Sequence, residues 1–171
     1  KHWPIFLDTV KKIKLDLPQI QIIVGKAKEV TITNIPNDFR IEPDSNKAIL
    51  IGTAAIVASG TATLECAIRS LPMVVCYKFS LLSWWLVKLL VNIKYSSMVN
   101  LIGGKRIVPE LLQSDMASEN IIQKLIPLLD HNSNQRRTMI KELEEIKTKL
   151  GQPGVYQRAA SDIIKKTSFN E

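Results

Sequence analysis

Cysteine, histidine and long apolar runs are all scarce in this chain, and each scarcity excludes something. There are two cysteines, Cys66 and Cys76, too few for a disulfide scaffold. Both sit among apolar residues, so buried free thiols and a reducing cytoplasm are expected. The two histidines, His2 and His131, are isolated, and no His/Cys cluster has metal-ligand spacing. No metal site and no cofactor is therefore expected. No apolar run reaches the roughly 18 residues of a membrane span, and no signal peptide is visible. Acidic residues are missing from one long stretch. Between Cys66 and Pro109 there is no Asp or Glu, yet Arg69, Lys78, Lys88, Lys94, Lys105 and Arg106 fall there. The rest of the chain is nearly balanced, so the formal charge of +7 has an address. Such a block points to an anionic partner, whether phosphates, nucleic acid or an acidic membrane. A merely solvated basic face is the competing reading.

What is present is a globular composition. Apolar residues make up 46% and charged residues 23% of 171 residues, which allows one domain with a real core and argues against disorder. The chain starts at Lys1 almost inside a helix, as a fragment would. Phe6, Val10, Ile13 and Leu17 recur at helical spacing, predicting a helix over 3–16 that Pro18 stops. Ile20 to Val24 reads as a buried strand. Residues 25–46 read as loops around one short strand, and 48–53 as a short helix or turn. Strands are expected at 54–58 and 73–77, with a helix over 62–70 between them. This alternation predicts an α/β fold, a parallel sheet with helices on both faces. Asn100 to Gly104 reads as a loop. Pro109 suits the first position of a helix, with Glu110 in its first turn. Ser118 is expected to cap a helix running to Leu129. Met139, Leu143, Ile146 and Leu150 mark another, ending at Gly151, and Val155, Ala159 and Ile163 mark the last. Residues 114–171 are thus expected as a helical extension of a single domain over 1–171. No internal repeat or interdomain linker is visible.

The stretch Val57-Ala58-Ser59-Gly60-Thr61-Ala62-Thr63-Leu64-Glu65 carries the clearest chemistry. A strand that breaks at Gly and opens a helix can make an anion site, because first-turn N–H groups lack partners. Gly60 permits close approach, and Ser59, Thr61 and Thr63 bring hydroxyls. Glu65, one turn in, could accept hydrogen bonds from ribose hydroxyls. These parts suit a nucleotide diphosphate. An ordinary strand-to-helix turn with a capping Ser or Thr suits the same residues.

Leu81-Leu82-Ser83-Trp84-Trp85-Leu86-Val87-Lys88-Leu89-Leu90-Val91 is apolar nearly all round. Two adjacent Trp cannot both face one core stripe. Trp84 and Trp85 at headgroup level, with Lys88 and Lys94 toward anionic lipid, give an interfacial membrane contact. Burial between domains or subunits is the alternative.

The segments Ala58-Ser59-Gly60-Thr61-Ala62-Thr63-Leu64-Glu65, Pro72-Met73-Val74-Val75-Cys76-Tyr77, Trp85-Leu86-Val87-Lys88, Tyr95, Asn100-Leu101-Ile102-Gly103-Gly104 and Val108-Pro109-Glu110-Leu111-Leu112-Gln113 occur in one order and spacing. Together they resemble the lipid-A-disaccharide synthase family, closely over 54–113 and more weakly over 1–24 and 118–166. The resemblance implies the carboxyl-terminal, sugar-nucleotide-binding half of a GT-B glycosyltransferase, built as a Rossmann-like sheet. It implies transfer of 2,3-diacylglucosamine from UDP to 2,3-diacylglucosamine 1-phosphate, without a metal, in the cytoplasm at the inner-membrane surface. By resemblance, Ser59, Gly60 and Thr61 line the diphosphate pocket, Glu65 holds the ribose, and Asn100, Glu110 and Gln113 belong to the same cleft.

Three departures from the family pattern stand out. The amino-terminal acceptor domain with its catalytic residues and the Gly-Ser-Arg phosphate loop have no counterpart here. Where the family has Arg then Glu after the Gly pair, this chain has Lys105-Arg106. Rival readings are another GT-B enzyme acting on a UDP-sugar, and a non-catalytic remnant or split-gene half that binds UDP or membrane only. A separate amino-terminal half or a second copy of the chain are the partners implied. Nucleic acid is not expected as a partner, because the basic block lacks interleaved stacking residues beyond the Trp pair.

Overall fold

The computed structural model describes residues 2–26, 30–78, 94–151 and 154–167. The element order is α1 (Trp3–Asp16), β1 (Ile23–Gly25), β2 (Arg40–Glu42), α2 (Ser45–Ile51), β3 (Ala55–Ala58), α3 (Ala62–Ile68), β4 (Met73–Tyr77), α4 (Met98–Gly103), β5 (Glu110–Leu112), a 3-10 turn (Gln113–Asp115), α5 (Ser118–Leu129), α6 (Asn134–Leu150) and α7 (Val155–Thr167). Strands pair in parallel throughout, as β1-β2 and as β3-β4-β5. The α/β class with helices on both faces holds. β4 shows why: Met73, Val74, Val75 and Cys76 are all fully buried, so both faces of the central strand are covered. α5 packs on β3 and β4, α1 packs on α5, and α3 packs on the same strands and on α6.

The core follows from the periodicities. Ile13 of α1, Ile121, Leu125 and Leu128 of α5, and Met139, Leu143 and Ile146 of α6 join the β4 residues in one apolar cluster. The helix over 3–16, the strand over 73–77 and the C-terminal helices lie where the apolar spacing places them. Gly151 ends α6 with φ +81, a conformation in which a side chain would be strained. Cys66 and Cys76 are buried free thiols, and burial pushes both up to about 12, with Glu65 adding to the effect at Cys66. At neutral pH they are unreactive.

Four local readings are corrected. The expected strand over 20–24 pairs only over Ile23–Gly25, because its partner β2 is three residues long. Residues 100–104 are not a loop: they lie in and just after α4, which begins at Met98 and ends on Gly104 at φ +67. Glu110 starts strand β5 rather than a helix, because pairing of Glu110 with Val75 of β4 overrides the local Pro-Glu helix signal. Ala117, not Ser118, occupies the cap of α5, and Ser118 is its first helical residue. The segment around Trp84, Trp85 and Lys88 lies outside the described residues. Among the described residues no helix is long and apolar enough to cross a membrane.

Candidate functional site

Parallel strands put their carboxyl ends on one edge, and in open α/β sheets ligands bind there. β3 ends at Ala58, β4 at Tyr77 and β5 at Leu112, so Ser59-Gly60-Thr61 and Gln113 leave the sheet on that edge. The Ser59 N–H still belongs to the ladder and donates to the Cys76 carbonyl at 3.1 Å. Gly60 then turns at φ +152, where a side chain is strained, and a Cβ there would meet no described residue within 4 Å. Thr63 is fully buried and its hydroxyl donates to the Gly60 carbonyl at 2.8 Å, which pins the turn from below.

Three donors remain. The N–H groups of Gly60, Thr61 and Ala62 have no backbone partner among the described residues. Thr61 is exposed and its side chain caps nothing. Glu65 lies four residues on, on the same side of α3 as Thr61, and is half-buried. α3 has seven residues, so individual N–H groups matter more here than a helix dipole. Gln113, half-buried, adopts φ +52, an uncommon conformation for a residue with a side chain. Strain of this kind concentrates at binding sites.

A second cluster is built differently. Asn100 on α4 is fully buried. Its Oδ1 accepts the N–H groups of Ile107 (2.7 Å) and Val108 (3.0 Å), and its Nδ2 donates to the Val108 carbonyl (2.9 Å) and Glu110 Oε1 (2.8 Å). Both acceptor positions and both donor hydrogens of the amide are thereby used. Glu110 receives two more bonds: Ser97 N–H on Oε1 at 2.8 Å and Ser96 N–H on Oε2 at 3.0 Å. Burial raises the carboxyl of Glu110, but the Ser96 and Ser97 N–H groups, the Ser97 hydroxyl and the Asn100 amide outweigh it and hold Glu110 below the usual carboxylate range. Ser97 also caps α4, its hydroxyl accepting the Asn100 N–H at 3.2 Å. Ser59 joins the two clusters, because its hydroxyl donates to the Ser96 carbonyl at 3.3 Å.

The structure therefore brings Ser59, Asn100 and Glu110 into one bonded chain, and sets Gly60, Thr61 and Glu65 beside it through Ser59. Ser96 and Ser97 were not singled out from the sequence, although Ser97 three residues before Asn100 is a cap pattern. His2 was also missed: its Nε2 accepts the Lys78 N–H at 3.0 Å just beyond β4, and its ring lies against Tyr77. Lys105 turns away to α6, where it pairs with Glu142 at 2.7 Å and Glu145 at 3.8 Å. Arg106, with Lys124 of α5 and Thr138 of α6, lines a groove of about 650 Å³ that Glu110 also lines but that includes none of Ser59, Gly60, Thr61 or Glu65. Lys94 is exposed.

Comparison with known proteins gives one family. The family model described as lipid-A-disaccharide synthetase matches residues 1–164. The lipid-A-disaccharide synthase of Solibacter usitatus (strain Ellin6076) is 43% identical over 167 residues, covering 94% of this chain and 43% of the relative. That of Myxococcus xanthus (strain DK1622) is 30% identical over 169 residues, covering 94% and 44%. That of Rickettsia prowazekii (strain Madrid E) is 34% identical over 159 residues, covering 88% and 42%. The chain thus spans less than half the length of each of these relatives. With a parallel α/β sheet, an open glycine turn on its carboxyl edge and a family match over nearly its whole length, this chain belongs to the lipid-A-disaccharide synthase family.

Proposed function

We propose that this chain is the donor-binding part of a lipid-A-disaccharide synthase and holds the UDP moiety of UDP-2,3-diacylglucosamine on the turn after β3. The observation that carries the reading is the Ser59-Gly60-Thr61 turn itself. Among the described residues its N–H donors have no backbone partner and a Cβ at Gly60 has no neighbour, on the edge where nucleotides bind α/β sheets. In this reading Gly60, Thr61 and Ala62 N–H groups bond the diphosphate, Glu65 accepts the ribose hydroxyls and Gln113 closes the site from β5.

The reaction transfers a glucosaminyl group. An acceptor hydroxyl of 2,3-diacylglucosamine 1-phosphate attacks the anomeric carbon of the donor and loses its proton to a base. The bond from that carbon to the diphosphate oxygen breaks, and UDP leaves with the electron pair. Donors aimed at that diphosphate stabilise the charge it gains. The base and the acceptor site belong, in this reading, to the part of the relatives' length that this chain does not span, so the isolated chain binds without turning over. The basic stretch from Lys78 to Arg106, with Trp84, Trp85, Lys88 and Lys94, supports contact with the anionic face of a cytoplasmic membrane where both lipid substrates reside.

Calorimetry with UDP and with CMP tests the assignment. UDP binds and CMP binds more weakly or not at all. Equal or absent binding of the two nucleotides contradicts it.

A further inference from the structure

We propose that Asn100 and Glu110 are positioning residues: they form an internal latch that sets the Ser96–Ser97 turn and, through Ser59, the Ser59-Gly60-Thr61 turn, without touching the nucleotide. The inference rests on the UDP reading above and gives these two residues a part other than the direct ligand contact that the family resemblance implies.

The bonding capacity of the Asn100 amide is already spent. Asn100 is fully buried, and its amide makes four bonds to the chain, two of them to the N–H groups of Ile107 and Val108. A ligand bond to that amide would leave a buried backbone group unpaired, at a cost near the gain. Glu110 is surrounded by donors: Ser96 N–H, Ser97 N–H and Asn100 Nδ2. A carboxylate so placed accepts from the protein and has no reason to meet a diphosphate, whose charge has the same sign. Its reach to the binding turn is through the backbone. The Ser96 N–H goes to Glu110, and the Ser96 carbonyl takes the Ser59 hydroxyl at 3.3 Å. One peptide segment is therefore gripped on one side by the latch and on the other by the first residue of the turn.

Beside the Ser97 hydroxyl, three donors to Glu110 are fixed N–H groups, and these need an ionised acceptor. A protonated Glu110, or a Gln in its place, turns a hydrogen toward at least one of them. Other charged groups around Glu110 are Arg106 on the preceding loop, Asp115 after β5, Lys124 on α5 and Glu142 on α6, all lining one groove with it, and Lys94 just before the Ser96–Ser97 turn. Of these, Glu142 is paired with Lys105.

The test uses the whole 171-residue chain, labelled with nitrogen-15 and titrated with acid. The Ser96 and Ser97 amide resonances should shift together with one midpoint, and the Gly60 and Thr61 amides should follow with the same midpoint. Glu65→Gln should leave that common midpoint in place, and Glu110→Gln should abolish it. UDP calorimetry on Glu110→Gln should show affinity reduced about tenfold, no better than Glu110→Ala, because the added amide hydrogens face donors. Should Glu110→Gln fail to fold, the wild-type titration decides alone. Gly60 and Thr61 amides that ignore the Ser96–Ser97 midpoint overturn the positioning role. So does unchanged UDP affinity in a folded Glu110→Gln. Wild-type chain that binds no UDP overturns the functional reading, a result distinct from either.

Discussion

The two polar clusters at the carboxyl edge of the sheet use similar residues to opposite ends. Around Asn100 and Glu110, the Ser96 and Ser97 N–H groups, an amide and a carboxylate bond one another inside the fold, while the buried Ser96 hydroxyl has no partner among the described residues. Around Gly60, the polar atoms nearest the core are pinned by Thr63 and Ser59, and the outer N–H groups have no backbone partner among the described residues. Polar residues whose bonds are all internal specify a shape. Polar groups left open beside empty space are available to a ligand. The turn proposed to bind UDP is the sparsely bonded one, and the Ser59 hydroxyl ties it to its neighbour through the Ser96 carbonyl.

The largest expected effect falls on Asn100. Asn100→Ala takes from the Val108 N–H and carbonyl their Asn100 partner in a buried site, and leaves the Ile107 N–H only the Lys105 carbonyl at 3.1 Å. A loss of about 3–5 kcal/mol in unfolding free energy is expected, read from denaturant melts. A loss below 1 kcal/mol would mean that the latch contributes little to the fold.

Glu110 makes the internally bonded cluster sensitive to pH. Its folded-state carboxyl is held below the ordinary range, so the unfolded chain binds its proton more readily. The stabilisation is therefore complete above the unfolded value of about 4.3 and is lost as pH falls through the lower folded value. Melts of wild type and Glu110→Gln between neutral pH and about pH 3 should converge in acid. A constant difference over that range would remove Glu110 from the account.

Glu65→Ala probes the open cluster. UDP affinity should fall by about 1–3 kcal/mol, the range for hydrogen bonds to a charged group, while stability changes by a few tenths. A stability loss with affinity unchanged would leave Glu65 a helix residue only. Lys105→Ala marks the far side of both clusters. Its partners lie on α6 and its own end of the pair is exposed, so UDP affinity should not change and melting should shift only slightly. A drop in UDP affinity would bring Lys105 back to the site.

The sequence made most of the scaffold legible because burial imposes a period. Ile13 in α1, Met73 to Cys76 in β4 and Leu143 in α6 follow that rule and lie in the core. The errors came where pairing or capping beats local pattern. Pro109-Glu110 reads as a helix start, but the edge of β4 recruits Glu110 to Leu112 as a third strand. Asn100 to Gly104 reads as a loop because two glycines end it, while the Ser97 cap that begins α4 is easy to pass over. Ser59, Gly60, Thr61 and Glu65 were visible as a strand-to-helix turn. The link from Ser59 through Ser96 to Glu110 was not, because it joins positions 37 and 14 residues apart.

Chemical-shift mapping of the nitrogen-15-labelled chain during a UDP titration tests the central claim most directly. The account predicts that the largest shifts fall on the Gly60, Thr61 and Ala62 amides, with smaller ones at Glu65 and Gln113, and that the Asn100 side-chain amide keeps its position. Shifts centred on the Asn100 side chain, or on the groove lined by Arg106, Lys124 and Thr138, would contradict it.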